Sequence, residues 1–167
     1  MSPRQAAFYL CCAALVVGNL AVPQLCHLAA MGGKTWLPIY FFTLVGGWCF
    51  GWRVGLLTAL CSPLLNWALF GMPPTGTLPV ILVKSVLLAG FAAVFAARVR
   101  GLAGLFVGVL ATVVCYQVFG GFFEAGLKGF AAALGDVRVG WPGLLVQVFG
   151  GSAFVWLLCG LRGKQDA

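Results

Sequence analysis

Long apolar stretches, separated by short polar or glycine- and proline-containing segments, follow one another along the whole chain of 167 residues. Six of them approach the roughly 20 residues that an α-helix needs to cross a bilayer. We therefore predict helices at residues 6–28, 36–51, 54–70, 78–97, 102–123 and 141–161. The fold class expected from this pattern is all-α: one domain, residues 1–167, forming an integral membrane bundle of six transmembrane helices.

Composition agrees with this pattern. Hydrophobic residues make up 62% of the chain and charged residues only 8%, whereas soluble domains average about 25% charged residues. A signal peptide is the rival interpretation of the first stretch, because Arg4 precedes it. The stretch is long for a signal peptide and contains Asn19 and Pro23, so we predict a retained, kinked helix. The net charge of +7 is too sparse for a nucleic-acid surface, and we expect no nucleic-acid partner.

The positive charges predict an orientation in the membrane. Six crossings put both termini on one side, and cytoplasmic segments of membrane proteins carry an excess of Lys and Arg. With cytoplasmic termini, the cytoplasmic segments contain Arg4, Arg53, Arg98, Arg100, Arg162 and Lys164, and the outer segments contain Lys34, Lys128 and Arg138. We therefore predict cytoplasmic termini and a long outer loop at residues 124–140.

Motifs for catalysis or metal binding do not occur in the sequence. It contains one His and three acidic residues, with no HExxH motif and no cysteine pair at metal-binding spacing. The tripeptide Gly33-Lys34-Thr35 resembles the end of a phosphate-binding loop, but Leu28 stands where the first glycine of that loop belongs. We expect a protein that is not an enzyme and that binds no metal or cofactor.

Polar residues inside apolar helices are the candidate functional residues. Lys84, Gln117 and Gln147 each lie six residues from the predicted outer end of their helix, or roughly 9 Å below it. Asn66 lies near the outer end of its helix, and Glu124 shares a helix face with Gln117. An ionisable side chain in lipid is costly unless it faces a cavity or a partner. The alternatives are a substrate pocket open to the outside and a structural pair of Lys84 with Glu124.

The first helix carries a stripe of small residues, which we call the small-residue stripe: Ala7, Cys11, Ala14 and Gly18. Their spacing places them on one helix face, and such a face allows close approach of another helix in lipid. Packing inside the bundle and docking of a partner subunit are both compatible with the stripe.

A family resemblance covers nearly the whole chain in length and hydropathy and is sharp at residues 36–89. The run Leu-Pro-Ile-Tyr-Phe-Phe-Thr-Leu, the segment Phe-Gly-Trp-Arg-Val-Gly-Leu-Leu-Thr-Ala-Leu and the ending Ser-Pro-Leu-Leu-Asn…Phe-Gly-Met-Pro-Pro resemble the substrate-binding S components of energy-coupling factor (ECF) vitamin transporters. The resemblance implies an S component in a prokaryotic cytoplasmic membrane. Such a subunit captures a vitamin-like molecule from outside and delivers it with a transmembrane coupling subunit and two ATPase subunits.

The resemblance also implies roles for particular residues. The small-residue stripe would dock onto the coupling subunit, and substrate would bind in the outer half, among the later helices and the loop after the first. His27 and Trp36, in that loop, could close over the ligand. ATP would be used by the partner ATPases. The alternative is a small scaffold membrane protein of the MreD type, which would need no polar pocket.

Overall fold

The structure, a computed structural model, describes residues 3–28 and 36–163, and the side chains of residues 5–26 and 36–158. These residues form helices and no strand, which confirms the all-α prediction. The helices are α1 (Pro3–Leu28), a 3₁₀ turn (Pro38–Tyr40), α2 (Phe41–Phe50), α3 (Trp52–Phe70), α4 (Leu78–Ala96), α5 (Gly101–Lys128), α6 (Phe130–Leu145), a π-helical turn (Val146–Gly150) and α7 (Gly151–Gly163).

Five helical segments of the described chain are long and apolar enough to cross a membrane: Gln5–Cys26, Trp52–Phe70, Leu78–Ala96, Gly101–Lys128 and Phe130–Leu158. The apolar helix Pro38–Phe50 is shorter and rises only about 20 Å, against roughly 30 Å for the hydrocarbon core of a bilayer. Large apolar side chains cover the outside of the bundle. These properties indicate a multi-pass membrane protein.

Helix α2 lies at the centre of the bundle and contacts α1, α3, α4 and α7. Its residues Thr43, Leu44 and Val45 are completely buried. Gly51, with φ of 84°, separates α2 from α3, a conformation that glycine adopts without steric cost. The break predicted between helices 36–51 and 54–70 therefore lies at Gly51, and Arg53 belongs to the first turn of α3.

Glycines recur every four residues at positions 47, 51 and 55. Close approach of α2, α3 and α4 depends on two of them, Gly47 and Gly55. A Cβ on Gly55 would lie 2.7 Å from the Cα of Gly47, and a Cβ on Gly47 would lie 2.7 Å from the Ala89 carbonyl oxygen. Because the chain turns at Gly51, the two glycines lie on facing helices and not on one helix face. Their missing side chains let three backbones pack at close range.

The predicted outer loop at residues 124–140 is wrong, because the structure is helical there. Helix α5 continues to Lys128, Gly129 makes the turn with φ of 90°, and α6 begins at Phe130. The inward residues of α6 are Ala133, Asp136, Gly140 and Gly143, a spacing of three and four that marks one helix face. The two charged residues of α6 lie on different sides of the helix. Asp136 faces the bundle, and Arg138 lies on the surface.

A buried polar network joins α1, α2 and α3. Asn19 Nδ2 donates to Thr43 Oγ1 at 3.0 Å and to Ser62 Oγ at 3.1 Å. Pro23 has no N–H, so the Asn19 carbonyl oxygen has no backbone donor four residues further along α1. Asn66 Nδ2 donates to that carbonyl at 3.0 Å, which satisfies it where water is excluded. The α1 carbonyl left without a backbone donor by Pro23 is thus satisfied by a side chain of α3.

Candidate functional site

A cavity of about 520 Å³, here called the polar cavity, lies at the end of the bundle where α3 connects to α4 and α5 to α6. Its walls come from α1, the 3₁₀ turn and helices α3 to α6. Much of the lining is apolar. Its polar and charged side chains include those of Gln24, Asn66, Lys84, Glu124, Lys128 and Asp136. A cavity of this size falls in the range of small-molecule sites.

Three of these residues form what we call the charged triad: Lys84, Glu124 and Asp136. Lys84 Nζ lies 2.7 Å from Glu124 Oε2 and 2.6 Å from Asp136 Oδ2. The side chain of Lys84 is only 2% exposed, that of Glu124 7% and that of Asp136 30%. With all three groups ionised, the triad carries one negative charge in excess, and Asp136 is its most accessible member.

The path of the Lys84 side chain depends on a glycine of α5. A Cβ added to Gly120 would overlap Lys84 Cγ and would lie 3.2 Å from Lys84 Cε. Because Gly120 has no side chain, the lysine stem crosses α5 and reaches Glu124, one helical turn further along. The pair of Lys84 with Glu124, one of the two alternatives raised by the sequence, is therefore present, and a glycine makes room for it.

Asp136 and Gln24 are lining residues that the sequence did not single out as binding residues. Asp136 lies in the segment expected to be a loop, so its inward direction had no periodic signal. Gln24 follows Pro23 near the end of α1, and its Nε2 is buried with no hydrogen-bond partner among the described residues. In the sequence, only its position in the predicted outer half of the first helix indicated that Gln24 could lie near a binding site.

Asn66, a candidate substrate-binding residue, lines the polar cavity, but its amide nitrogen already donates two hydrogen bonds within the bundle. Nδ2 donates to the carbonyls of Asn19 and Ser62 at 3.0 and 3.1 Å, and the residue is 2% exposed. At the cavity rim, Lys128 is exposed and donates from Nζ to Thr77 Oγ1 at 3.3 Å. The rim thus adds a cation to the wall that contains the triad.

Gln147 and Trp36 line a different cavity from Lys84. This second cavity, here called the aromatic cavity, measures about 280 Å³ and is bounded by α1, the 3₁₀ turn, α2 and the π-helical turn. Gln147 Oε1 accepts a hydrogen bond from the Tyr116 hydroxyl at 2.9 Å. Leu37 and Pro38 line both cavities. The equal depth computed for Lys84 and Gln147 did not bring them into one site, because depth does not fix the direction of a side chain.

The remaining predicted residues whose side chains the structure describes line neither cavity. Gln117 is buried on α5, with Nε2 unpartnered within the described part of the chain. The His27 side chain lies outside the described residues. In the small-residue stripe, Ala7 and Ala14 are exposed and Cys11 is half-buried. A Cβ on Gly18 would lie 2.8 Å from the ring of Phe42, so Gly18 packs inside the bundle.

Electrostatics and shape together define what the polar cavity can do. Within the described part of the chain, it has one buried cluster of opposite charges, the amide of Gln24 with an unpartnered Nε2, and extended apolar walls. No group of three metal-ligating side chains occurs among the residues for which the structure describes them. The arrangement suits reversible binding of a small polar molecule. No family model, no curated protein and no solved structure matches the chain.

Proposed function

We propose that the protein is a substrate-binding subunit of the S-component type, which captures a vitamin-like small molecule in the polar cavity. In this proposal the chain crosses a prokaryotic cytoplasmic membrane six times, with both termini in the cytoplasm and the polar cavity facing outward. A coupling subunit and two ATPase subunits then drive delivery of the substrate. The sequence resemblance, sharp at residues 36–89, motivates the choice of family.

One observation carries the proposal: a cavity of about 520 Å³ is lined by the charged triad and by Gln24, whose Nε2 has no hydrogen-bond partner among the described residues. A buried amide donor without a partner loses its hydration and regains nothing. A ligand acceptor placed against Gln24 restores that hydrogen bond. The triad offers carboxylate oxygens and an ammonium group to the same ligand, which favours a polar or zwitterionic molecule.

The buried ion pairs also fit the alternative of a scaffold protein without substrate. Lys84 already has two carboxylate partners within 2.7 Å, so the triad needs no ligand to be stable. The two functions differ in the part played by the cavity. A scaffold would show no saturable small-molecule binding, and substitutions of cavity residues would act only on folding.

Thermal unfolding of the purified protein against a panel of vitamins and their precursors tests the proposal. We expect one compound class to raise the melting temperature in a saturable manner. The variant Gln24→Leu is expected to weaken binding of that compound about 3- to 10-fold, the equivalent of one lost hydrogen bond. Gln117→Leu removes a comparable buried amide outside both cavities and serves as the matched control. A panel without any stabilising compound contradicts the proposal.

Coupling is tested with the exposed part of the small-residue stripe. Ala14→Trp is expected to prevent co-purification with a coupling subunit while leaving ligand binding unchanged, because a bulky side chain blocks close helix approach. Val114→Trp, at a position of α5 that is 52% exposed, is the control for added bulk. Gly18→Trp is less suited, since Gly18 contacts Phe42 within the bundle. Normal co-purification of Ala14→Trp contradicts this part of the proposal.

A further inference from the structure

The aromatic cavity has the properties of a second binding site, separate from the proposed substrate site. Its volume is about 280 Å³, and its lining includes the rings of Trp36, Phe41 and Phe42 together with the side chains of Val22 and Cys26. No charged side chain lines it among the described residues, 5–26 and 36–158. Among the described lining residues, Gln147 has the one amide side chain, and it is 1% exposed.

Gln147 presents an unused hydrogen-bond donor. Its Oε1 accepts from Tyr116, and its Nε2 is buried without a partner among the described residues. The opposite amide orientation would make Tyr116 the acceptor and leave the phenol proton of this fully buried residue with no acceptor in the described part of the chain. The Nε2 group is therefore the polar group that remains for an occupant of the cavity.

Local backbone structure also distinguishes this position. Gln147 lies in the π-helical turn Val146–Gly150, between α6 and α7. Single π-helical turns inside α-helices are uncommon and occur frequently at functional sites. Across the cavity, Leu37 has φ of 46° and ψ of 42°, a left-handed conformation that is costly for a leucine. Backbone strain of this kind concentrates at ligand-binding and switch regions.

Neither water nor a lipid chain would both fill the apolar space of this cavity and accept a hydrogen bond from Gln147 Nε2. A buried water needs two to four polar partners, and the wall is largely hydrocarbon and aromatic rings around one amide. A lipid acyl chain would fill the apolar space but has no acceptor along its length for Gln147 Nε2. An acceptor carried by an apolar molecule would satisfy both the apolar walls and the Nε2 group.

We propose that the aromatic cavity binds a planar, uncharged molecule, or part of one, that carries a carbonyl-type acceptor directed at Gln147 Nε2. Three aromatic side chains provide surfaces for stacking on a flat ring. A cavity of 150 Å³ holds benzene, so about 280 Å³ accommodates a bicyclic ring system. This inference does not depend on the proposed transport function.

Coumarin and naphthalene are matched probes for the site, because both are planar bicyclic molecules and only coumarin has a carbonyl. Binding is measured by calorimetry on the full chain in lipid nanodiscs, with empty nanodiscs subtracted to remove partitioning into lipid. We expect saturable coumarin binding, tighter than that of naphthalene. Gln147→Leu is expected to weaken coumarin binding about 3- to 10-fold and to leave naphthalene binding unchanged or stronger. Gln117→Leu is expected to change neither.

A second variant covers the case in which Gln147→Leu fails to fold. Val22→Phe adds a ring from α1 into the cavity and leaves Gln147 in place, so both probes are expected to lose binding. Three outcomes overturn the proposal: no saturable coumarin binding, equal coumarin affinity in wild type and Gln147→Leu, or coumarin binding retained in Val22→Phe. None of these outcomes bears on vitamin binding in the polar cavity.

Discussion

Lys84 is the buried cation of the polar cavity. Removal of an ammonium group from water is expensive, and two carboxylates within 2.7 Å compensate for it here. Such a cluster contributes little net stability compared with apolar residues of similar size. Loss of one partner, however, leaves an uncompensated buried charge, and that cost is large.

Substitution of Lys84 tests whether the triad is structural. Lys84→Met leaves Glu124 and Asp136 without their cation, and we expect a loss of about 3–5 kcal/mol in unfolding free energy. Addition of Glu124→Gln and Asp136→Asn removes both stranded charges and is expected to restore most of the stability. Unfolding of the single and triple variants in detergent measures both effects.

Lys128→Met is the control for this series, because Lys128 is an exposed cation at the rim of the same cavity. It is expected to change stability by less than about 1 kcal/mol. A triple variant no more stable than Lys84→Met contradicts the charge-compensation argument. A stable triple variant that binds the panel compound like wild type shows that the triad is structural and that Gln24 and the apolar walls recognise the ligand.

Gly120 and Gly121 provide a matched pair of neighbouring positions. A Cβ at Gly120 overlaps the Lys84 stem, whereas a Cβ at Gly121 meets nothing within 4 Å. We expect Gly120→Ala to destabilise the protein by about 1–3 kcal/mol through overpacking. Gly121→Ala is expected to be neutral or slightly stabilising, since Ala favours helix more than Gly does. Equal melting temperatures for the two variants contradict the assigned path of Lys84.

Residue-level prediction from sequence succeeded where chemistry restricts the options. A lysine and a glutamate inside apolar helices must find partners, and contact between Lys84 and Glu124 was one of the two alternatives that this requirement left open. The same reasoning gave no direction for Gln147, because an amide can be satisfied on any side of its helix. Asp136 was missed because its segment was expected to be a loop, where burial is not anticipated.

At the scale of elements, apolar length predicted most helices and failed where glycine and charge lower the hydropathy. The candidate spans Leu78–Ala96 and Trp52–Phe70 lie within one residue or two of the predicted segments. Residues 124–140 were misassigned because their helical face is made of alanine, glycine and aspartate, which resemble loop composition. The π-helical turn Val146–Gly150 has no distinctive residue pattern, so nothing in the sequence indicated it.

Packing of α2, α3 and α4 depends on the glycine contact described above. Gly55→Ala places a methyl group 2.7 Å from the Gly47 Cα, where the neighbouring atoms are backbone and cannot rotate away. We expect a loss of about 1–3 kcal/mol or more. Gly90→Ala, on α4 with open space around the new methyl group, is the control and is expected to be neutral. Thermal unfolding of the two variants distinguishes a packing effect from a general effect of replacing glycine.

At the scale of the whole molecule, the structure places the connections of the chain at two ends of the bundle. The segment between α3 and α4 and the turn at Gly129 border the polar cavity. The segment between α4 and α5, which contains Arg98 and Arg100, lies at the far end of α4 from that cavity. The orientation of the bundle in the membrane decides which end meets substrate.

Cysteine labelling tests that orientation. In a variant without its seven native cysteines, Gly76→Cys reports on the cavity end and Arg100→Cys on the opposite end; both positions are exposed. Because arginines concentrate on the cytoplasmic side, we expect a membrane-impermeant maleimide added to intact cells to label position 76 and not position 100. Permeabilised cells are expected to show labelling at both positions. Labelling of position 100 alone in intact cells would place the polar cavity on the cytoplasmic side and exclude capture of substrate from outside.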